Sequence, residues 1–319
     1  MSGAEPGPEP GAEPEAEPEP EAEVEPGPGA EVGRVAVLSD IHGVLPALEA
    51  VLAEPDVSRA DRVVLTGDIT AGPQPAEVVD VLRALGDRVL WLSGNADREL
   101  VEYRRGERAD IPDPIGPFAA HALRADQVDF LAGLPKTATL TVRGLGRVLF
   151  CHATPRDDEE IVLVDSPPER WAEVFAEVDP GIGTVVCGHT HMPYTRLAHG
   201  RLVVNPGSVG MPYGRPGAHW CLLGPGTDLR VTPYDIPTAT ARLVAACSYP
   251  GIEEWADYFL RARASDSEAL ALFSARQRPS ASRASDTKES RAASPGSSPD
   301  DDLVQAEPVG GDARPRTGT

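Results

Sequence analysis

Five short apolar segments, each followed at once by a polar turn, dominate the middle of this chain. The segments are 35–38, 63–65, 89–92, 147–150 and 184–187. The polar residues that follow them are Asp40 and His42, Asp68, Asn95 and Asp97, His152, and His189 and His191. Continuous apolar runs of this length are typical of strands that are covered on both faces. Ligands of open α/β sheets bind beyond the carboxyl ends of the strands, so the pattern predicts one shared site.

The apolar pattern between these segments alternates between strand and helix periods. Strands at 34–38, 62–66 and 88–92 are separated by helical patterns at 45–52 and 76–85, which predicts parallel strands with crossover helices. A hairpin is expected at 137–150, and the later runs indicate mostly antiparallel strands, at 183–187, 193–198, 201–205, 218–223 and 228–232. We further expect a loop near the site over 104–124 and closing helices at 238–246 and 251–262.

Both ends of the chain lack the apolar residues that a core requires. Residues 1–31 contain ten Glu and no Lys or Arg, and the last part of the chain is rich in Ser, Ala, Pro and Arg. Such segments cannot bury enough apolar surface to offset their chain entropy. We therefore expect a disordered tail over 1–32, one folded domain over 33–262 and a mostly disordered tail over 263–319. A short helix capped by Ser265 is expected before order is lost.

Charge and cysteine content exclude several classes of protein. The formal net charge is −21, which disfavours nonspecific binding to nucleic acid or to anionic membranes. The four cysteines show no paired spacing and predict buried thiols rather than a disulfide framework. No apolar run is long enough to span a membrane, and the acidic N-terminus does not resemble a signal peptide. These features predict a cytoplasmic protein; its oligomeric state is left open.

The residues of the shared site point to divalent metal. Carboxylate, amide oxygen and imidazole together suit Mn, Fe, Ni, Zn or Co. The donors number seven, which is more than one tetrahedral ion needs, whereas two ions that share one carboxylate would use them all. They are Asp40, His42, Asp68, Asn95, His152, His189 and His191. The number of donors therefore favours a two-metal site.

The order D-x-H, G-D, G-N-x-D, H, G-H-x-H resembles the calcineurin-like metallophosphoesterase superfamily. The segments CHATPR at 151–156 and NPGSVG at 205–210 also resemble its compact bacterial and archaeal branch of small phosphodiesterases. The similarity covers about residues 34–235. It implies an α/β fold, a four-layer αββα sandwich of two mixed sheets flanked by helices.

The resemblance also implies the roles of individual residues. One metal would be held by Asp40, His42, Asp68 and His191, and the second by Asp68, Asn95, His152 and His189. It implies two divalent metal ions, with Mn²⁺ as the first choice. It also implies that a metal-bridging hydroxide attacks a small organic phosphate, and a phosphodiester is the preferred substrate over a monoester. The resemblance assigns catalytic roles to Asp68, Asn95 and His191, and it assigns a substrate-binding role to Asn95 as well.

Two residues leave the function open. Many relatives carry His where this chain has Ala96, so the usual imidazole near the leaving group is missing. Arg156 is placed to bind a substrate phosphate or to form a structural salt bridge. The alternatives to a phosphoesterase of small molecules are a protein phosphatase and a non-catalytic binding scaffold on the same fold.

Overall fold

The computed structural model of the chain describes residues 31–277. Within this part, ten strands form two five-stranded sheets. The strands are β1 (Val35–Leu38), β2 (Arg62–Leu65), β3 (Val89–Trp91), β4 (Thr137–Val142), β5 (Gly146–Cys151), β6 (Ile182–Val186), β7 (Tyr194–Ala198), β8 (Arg201–Asn205), β9 (Ala218–Leu223) and β10 (Thr227–Thr232). The helices are α1 (Leu45–Leu52), α2 (Pro55–Ser58), α3 (Pro75–Arg83), α4 (Asn95–Arg105), α5 (Gly116–Ala122), α6 (Ala125–Ala132), α7 (Pro168–Val174), α8 (Ile236–Ala246), α9 (Ile252–Leu260) and α10 (Asp266–Arg276).

Each sheet combines parallel and antiparallel strands. The first has the order β10-β9-β1-β2-β3, with β1, β2 and β3 parallel and β9 antiparallel to β1. The second has the order β4-β5-β6-β8-β7, with β5, β6 and β8 parallel between two antiparallel edge strands. The predicted βαβ arrangement and the β4–β5 hairpin are confirmed. Two strands of the mostly antiparallel group depart from it: β6 has only parallel neighbours, because α7 carries the chain back across the sheet before β6 begins, and β8 is parallel to β6 although antiparallel to β7.

Alternation of side chains along the strands builds four layers. Val37 of β1 faces a core shared with Phe150 of β5 and Val186 of β6, which lies between the two sheets. Ala36 and Leu38 point to the opposite face, where a second core includes residues of α1, α8 and α9. The outer face of the second sheet packs against α7. The predicted αββα sandwich of two mixed sheets is confirmed.

Two regions depart from the expected elements or extend beyond the expected domain. The loop expected over 104–124 is wrong in its second half, where α5 packs the buried Ala119 and Ala120 against Leu100 of α4. Their small side chains allow a close helix contact that Pro and Gly content does not reveal. The expected short helix is present as α10, beyond the domain boundary placed at 262, and Ser265 caps it. The tail predictions for 1–30 and 278–319 lie outside the described residues.

The cysteines and helices bear on two further expectations. All four cysteines are buried and free, as expected from their spacing. Among residues 31–277, no helix combines the length and the apolar character needed to cross a membrane.

Candidate metal centre

Strand ends from both sheets bring the predicted ligands together. Asp40 follows β1 and Asp68 follows β2, while His152 follows β5 directly and His189 follows β6. The backbone N–H of His189 donates to both carboxylate oxygens of Asp40, at 3.2 and 3.1 Å. The Gly188 N–H donates to the carbonyl oxygen of His152 at 2.6 Å. The carboxyl edges of the two sheets therefore meet at one place, as the sequence pattern predicts.

Six of the seven predicted ligands form two groups that could each hold a metal ion. The groups are Asp40, His42 and His191, and Asp68, His152 and His189, with the donor atoms of each group within 4.8 Å of one another. Oδ2 of Asp68 lies 3.3 Å from Nε2 of His152 and 3.8 Å from Nε2 of His42. Asp68 thus faces a histidine of each group. The seventh predicted ligand, Asn95, joins the second group, since its Oδ1 lies 3.0 Å from Nε2 of His152.

Backbone carbonyl groups orient three of the four histidines. Nδ1 of His42 lies 3.0 Å from the Ala71 oxygen, Nδ1 of His152 lies 2.8 Å from the Thr66 oxygen, and Nδ1 of His191 lies 2.9 Å from the Met211 oxygen. A carbonyl oxygen only accepts, so each Nδ1 carries a proton and each Nε2 is the nitrogen that can offer a lone pair to a metal ion. This arrangement fixes the ring of a metal-binding histidine and raises its basicity.

Without a cation, acceptor atoms would face each other in this centre. Nε2 of His42 and Nε2 of His191 are 3.1 Å apart, and both rings donate through Nδ1 to the backbone. Nε2 of His152 likewise faces oxygens of Asn95 and Asp68. Buried acceptors that converge in this way need a proton or a metal ion between them. The donor set therefore fits divalent metal.

The pKa values in the centre follow from burial and from the carboxylates. Burial acts to lower the pKa of His152, but the charge of Asp68 and its hydrogen bond outweigh that effect and raise the pKa to about 10. The same pairing holds the pKa of Asp68 well below its usual value, although burial opposes it. Burial and the neighbouring His152 lower the pKa of His189 to about 4, so its imidazole is neutral near pH 7.

Backbone strain is concentrated at the same residues. Five ligands have positive φ values, namely Asp40 (53°), His42 (48°), Asp68 (51°), His189 (66°) and His191 (56°). Among the described residues, only His199 and Ala262 share this conformation without being glycine. It costs of the order of 1–3 kcal/mol per residue and persists where the surrounding structure enforces it. The turns thus hold strained backbone where the side chains must converge.

Glycines leave room for close approach in the centre. A Cβ added to Gly94 would collide with the carboxylate of Asp68, and one added to Gly188 would collide with Ser39 and Asp40. Glycine at positions 94 and 188 therefore has a steric reason.

Several residues that bind no metal in this arrangement hold the ligands in place. Asn205 donates through Nδ2 to the Gly188 oxygen at 2.7 Å, and the Ser208 hydroxyl donates to the Asp40 oxygen at 2.7 Å. Asn205 is the last residue of β8, and Ser208 lies in the loop that follows it. Asp97, one of the polar residues that follow β3, has a structural role: its buried carboxylate accepts from the backbone N–H groups of Ile69 and Thr70. Its position two residues after Asn95 was the available signal.

Arg156 forms its hydrogen bonds with residues outside the two candidate metal-binding groups. Its Nε and Nη2 donate to the Glu160 carboxylate at 2.9 and 2.6 Å, and its Nη1 donates to the Glu173 oxygen. These contacts match the salt-bridge alternative, and the role of Arg156 as a substrate contact stays a prediction. Ala96 is half-buried beside Asn95, and its N–H donates to Asp68 at 2.9 Å.

Comparison with known proteins agrees with the geometry. The family model of the calcineurin-like phosphoesterase superfamily domain matches residues 34–226. An uncharacterised protein of Methanocaldococcus jannaschii is 27% identical over 239 residues, which cover 66% of this chain and 91% of that protein. The symmetrical bis(5'-nucleosyl)-tetraphosphatase of Sodalis glossinidius is 26% identical over 240 residues, covering 61% of this chain and 84% of the relative.

A solved structure shows the same fold. The metallophosphoesterase from Sphaerobacter thermophilus superposes with a TM-score of 0.56 at 25% identity, covering 71% of this chain and 99% of that one. The matched residues include both candidate metal-binding groups. This chain therefore belongs to the calcineurin-like phosphoesterase superfamily and is a phosphoric ester hydrolase.

Proposed function

We propose that this chain hydrolyses a small organic phosphate, in the first place a phosphodiester, with two divalent metal ions. The observation that carries the proposal is the pair of buried metal-binding groups with Asp68 between them. Asp40, His42 and His191 would hold one ion, and His152, His189 and Asn95 the other, with Asp68 shared. Bound there, the two ions would supply a water of lowered pKa and positive charge for the phosphoryl oxygens.

The residues of the chain divide the remaining tasks. The neutral imidazole of His189 and the carboxylates of Asp40 and Asp68 present lone pairs near pH 7, so metal binding there needs no loss of their protons. Asn95 is half-buried at the start of α4, and we propose that it contacts the substrate phosphate as well as the second ion. No imidazole stands at Ala96 to protonate a leaving group. We therefore expect a preference for leaving groups that need little protonation.

Dinucleoside polyphosphates are the first natural substrates to test. The relative from Sodalis glossinidius is named for hydrolysis of such a compound, and it aligns over 84% of its length. The candidate metal-binding groups support hydrolysis of a phosphate ester as the reaction class. The choice of a diester over a monoester or a polyphosphate is part of the proposal. Mn²⁺ is the proposed ion, because carboxylate, amide and imidazole donors all suit it.

The test is hydrolysis measured with and without the proposed centre. The metal-free chain would be assayed with an aryl phosphodiester, an aryl phosphomonoester and a dinucleoside tetraphosphate, each with Mn²⁺, Ni²⁺ or chelator. Asp68→Asn should lower turnover by at least about 10²-fold, because a shared anionic ligand becomes neutral. Asp87→Asn makes the same change at an exposed acid outside the centre and should leave turnover unchanged.

Tight metal binding without turnover of any of these substrates would contradict the proposal and favour the binding scaffold. Turnover of phosphoproteins but of no small ester would favour the protein phosphatase. The retention of all seven donors with mutual contact distances supports the enzyme over the scaffold.

A further inference from the structure

Helix α10 lies outside the part of the chain that the family model matches, yet it packs beside the metal centre. The family match ends at residue 226, and α10 spans Asp266–Arg276. Its buried Phe273 shares an apolar cluster with Leu163 and Tyr213. Leu163 belongs to the loop that follows His152, and Tyr213 belongs to the loop that carries Met211. The helix thus packs against two loops. One follows His152 of the second group, and the other carries Met211, whose carbonyl oxygen orients His191 of the first group.

Hydrogen bonds fix α10 at both of its ends. At its start, the Gly214 N–H donates to the Ala264 oxygen at 3.0 Å. At its end, Nε2 of Gln277 donates to the hydroxyl of Ser166 at 2.6 Å. A capping box of Ser265 and Glu268 defines where the helix begins. These anchors determine where Phe273 stands relative to the two loops.

The aromatic ring of Phe273 reaches a metal-binding histidine. Its centroid lies 6.4 Å from that of His189, with the ring planes at 63°. It also lies 6.3 Å from Tyr213, whose ring stacks on His191 at 5.5 Å and 21°. One side chain of α10 therefore contacts a ligand of the second group directly and is linked to a ligand of the first through Tyr213.

His189 differs from the other three histidines in how its ring is held. The others donate through Nδ1 to backbone oxygens, whereas within residues 31–277 the ring of His189 makes no such bond and its Nε2 is buried without a hydrogen-bond partner. The His152 ring lies at 5.1 Å and 70° on one side, and Phe273 lies on another. Ring packing has to replace the missing hydrogen bond if the imidazole is to keep one orientation.

We propose that Phe273 is a positioning residue that fixes the imidazole of His189 for metal binding, so that a helix outside the matched family domain completes the centre. The inference rests on the proposed two-metal function. Truncation of Phe273 would open a cavity beside His189 and allow its ring to rotate away from the metal. Loss of a group that orients a metal ligand typically weakens metal binding about 10–100-fold.

The experiment is a two-site titration of the full, metal-free chain with Co²⁺, followed by the absorption of the bound ion. Phe273→Ala should weaken one site about 10–100-fold and leave the other within about threefold. Leu270→Ala is the matched control, because Leu270 is on the same helix and is packed against the same cluster but offers no aromatic ring to His189. It should leave both sites within about threefold.

Two further variants identify the affected site and guard against loss of folding. His189→Gln should weaken the same site, and combining it with Phe273→Ala should add little, because both changes act on one ligand. Phe273→Leu keeps most of the buried volume and should show a smaller loss at that site alone.

Equal losses of Co²⁺ affinity in Phe273→Ala and Leu270→Ala would overturn the proposal. Unchanged Co²⁺ affinities in Phe273→Ala and Phe273→Leu, with a lower unfolding midpoint, would overturn it as well. Because binding is measured without turnover, wild-type chain that binds two ions but hydrolyses nothing would contradict the proposed function and leave this inference standing.

Discussion

At the scale of single residues, Asp97 demonstrates that the centre depends on a carboxylate that binds no metal in the proposed arrangement. It accepts from Ile69 and Thr70 after β2 and from the Gly94 N–H before α4. The Thr70 hydroxyl donates to it as well, at 2.7 Å. This set of bonds holds the turn of Asp68 against the start of the helix that carries Asn95. Asp97 therefore fixes the distance between two proposed ligands.

Replacement of Asp97 by Asn should destabilise the protein by about 3 kcal/mol, because an amide NH₂ would face buried N–H donors. The free energy of unfolding, measured with urea in the presence of chelator, checks this. Asp87→Asn, at an exposed position, should change it by less than about 0.5 kcal/mol. Similar values for the two variants would show that Asp97 is not a structural clamp.

Ala96 sets the second expectation at this scale. Introduction of His at this position should accelerate hydrolysis of alkyl phosphodiesters by up to about 10²-fold, because a poor leaving group gains a proton donor. Aryl diesters need little protonation and should change by less than about threefold. Rate constants for matched alkyl and aryl substrates provide the measurement. An equal effect on both would contradict the role assigned to the missing imidazole.

His152 predicts a pH dependence of the metal-free protein. Its pKa is raised to about 10 in the folded state, so protonated His152 contributes stability that is fully present below about pH 6.5 and is lost as the pH rises through 10. The loss should be of the order of 4 kcal/mol between pH 6.5 and pH 10 in chelator. Urea unfolding at several pH values measures it. His152→Gln should flatten this part of the profile, and an unchanged profile would refute the assignment.

At the scale of secondary-structure elements, Arg98 joins α4 to the loop that follows β5. Its Nε donates to Asp158 at 2.9 Å and its Nη2 to Glu159 at 2.6 Å, while its Nη1 contacts Glu102 within the helix. The side chains of Arg98 and Asp158 are only 25% and 10% exposed. The helix that carries Asn95 is thereby fixed to the loop that begins at His152.

A double-mutant cycle of Arg98→Ala and Asp158→Ala should give a coupling free energy of about 1–3 kcal/mol, because the Arg98–Asp158 pair is a charge-assisted contact between two partly buried side chains. Urea unfolding of the four proteins supplies the value. Lys136 also contacts Asp158, at 3.4 Å, but is 63% exposed, so Lys136→Ala should cost less than about 1 kcal/mol. Additive effects of the Arg98 and Asp158 changes would contradict the link.

At the scale of the whole molecule, each candidate metal-binding group takes side chains from both sheets. Asp40 and His42 follow β1 of the first sheet, and His191 follows β6 of the second. Asp68 follows β2 of the first sheet, while His152 and His189 follow strands of the second. An ion in either group would therefore link strand ends of the two sheets, which also pack against each other through the apolar core between them.

Metal should consequently stabilise the entire domain. Addition of Mn²⁺ at 100 times its dissociation constant should raise the free energy of unfolding by about 2.7 kcal/mol for each independent site. Thermal unfolding in chelator and in increasing Mn²⁺ measures the effect. Asp68→Asn should lose most of the gain, since it contacts histidines of both groups. A melting temperature that does not depend on Mn²⁺ would contradict a link between the sheets.

Much of the fold could be predicted because the apolar runs of buried strands are continuous and their turns are polar. All ten strands of the described part lie within or beside a predicted run, and the parallel order of β1, β2 and β3 follows from the helices between them. Helix α5 could not be predicted from the sequence, because Ala119 and Ala120 are too weakly apolar to form a clear helical pattern of apolar residues. Their role depends on the neighbouring surface of α4, which local sequence does not record.

The donor types of the candidate centre, their order and their positions after strands could be predicted from local patterns of apolar and polar residues alone. The distances between the donor atoms, and the contacts by which Asp97 and Phe273 hold ligands from elements remote in sequence, could be obtained only from the three-dimensional fold. The reason is physical: contact between two sheets, or between α10 and a strand end, is fixed by packing of distant surfaces, and no local pattern encodes that distance.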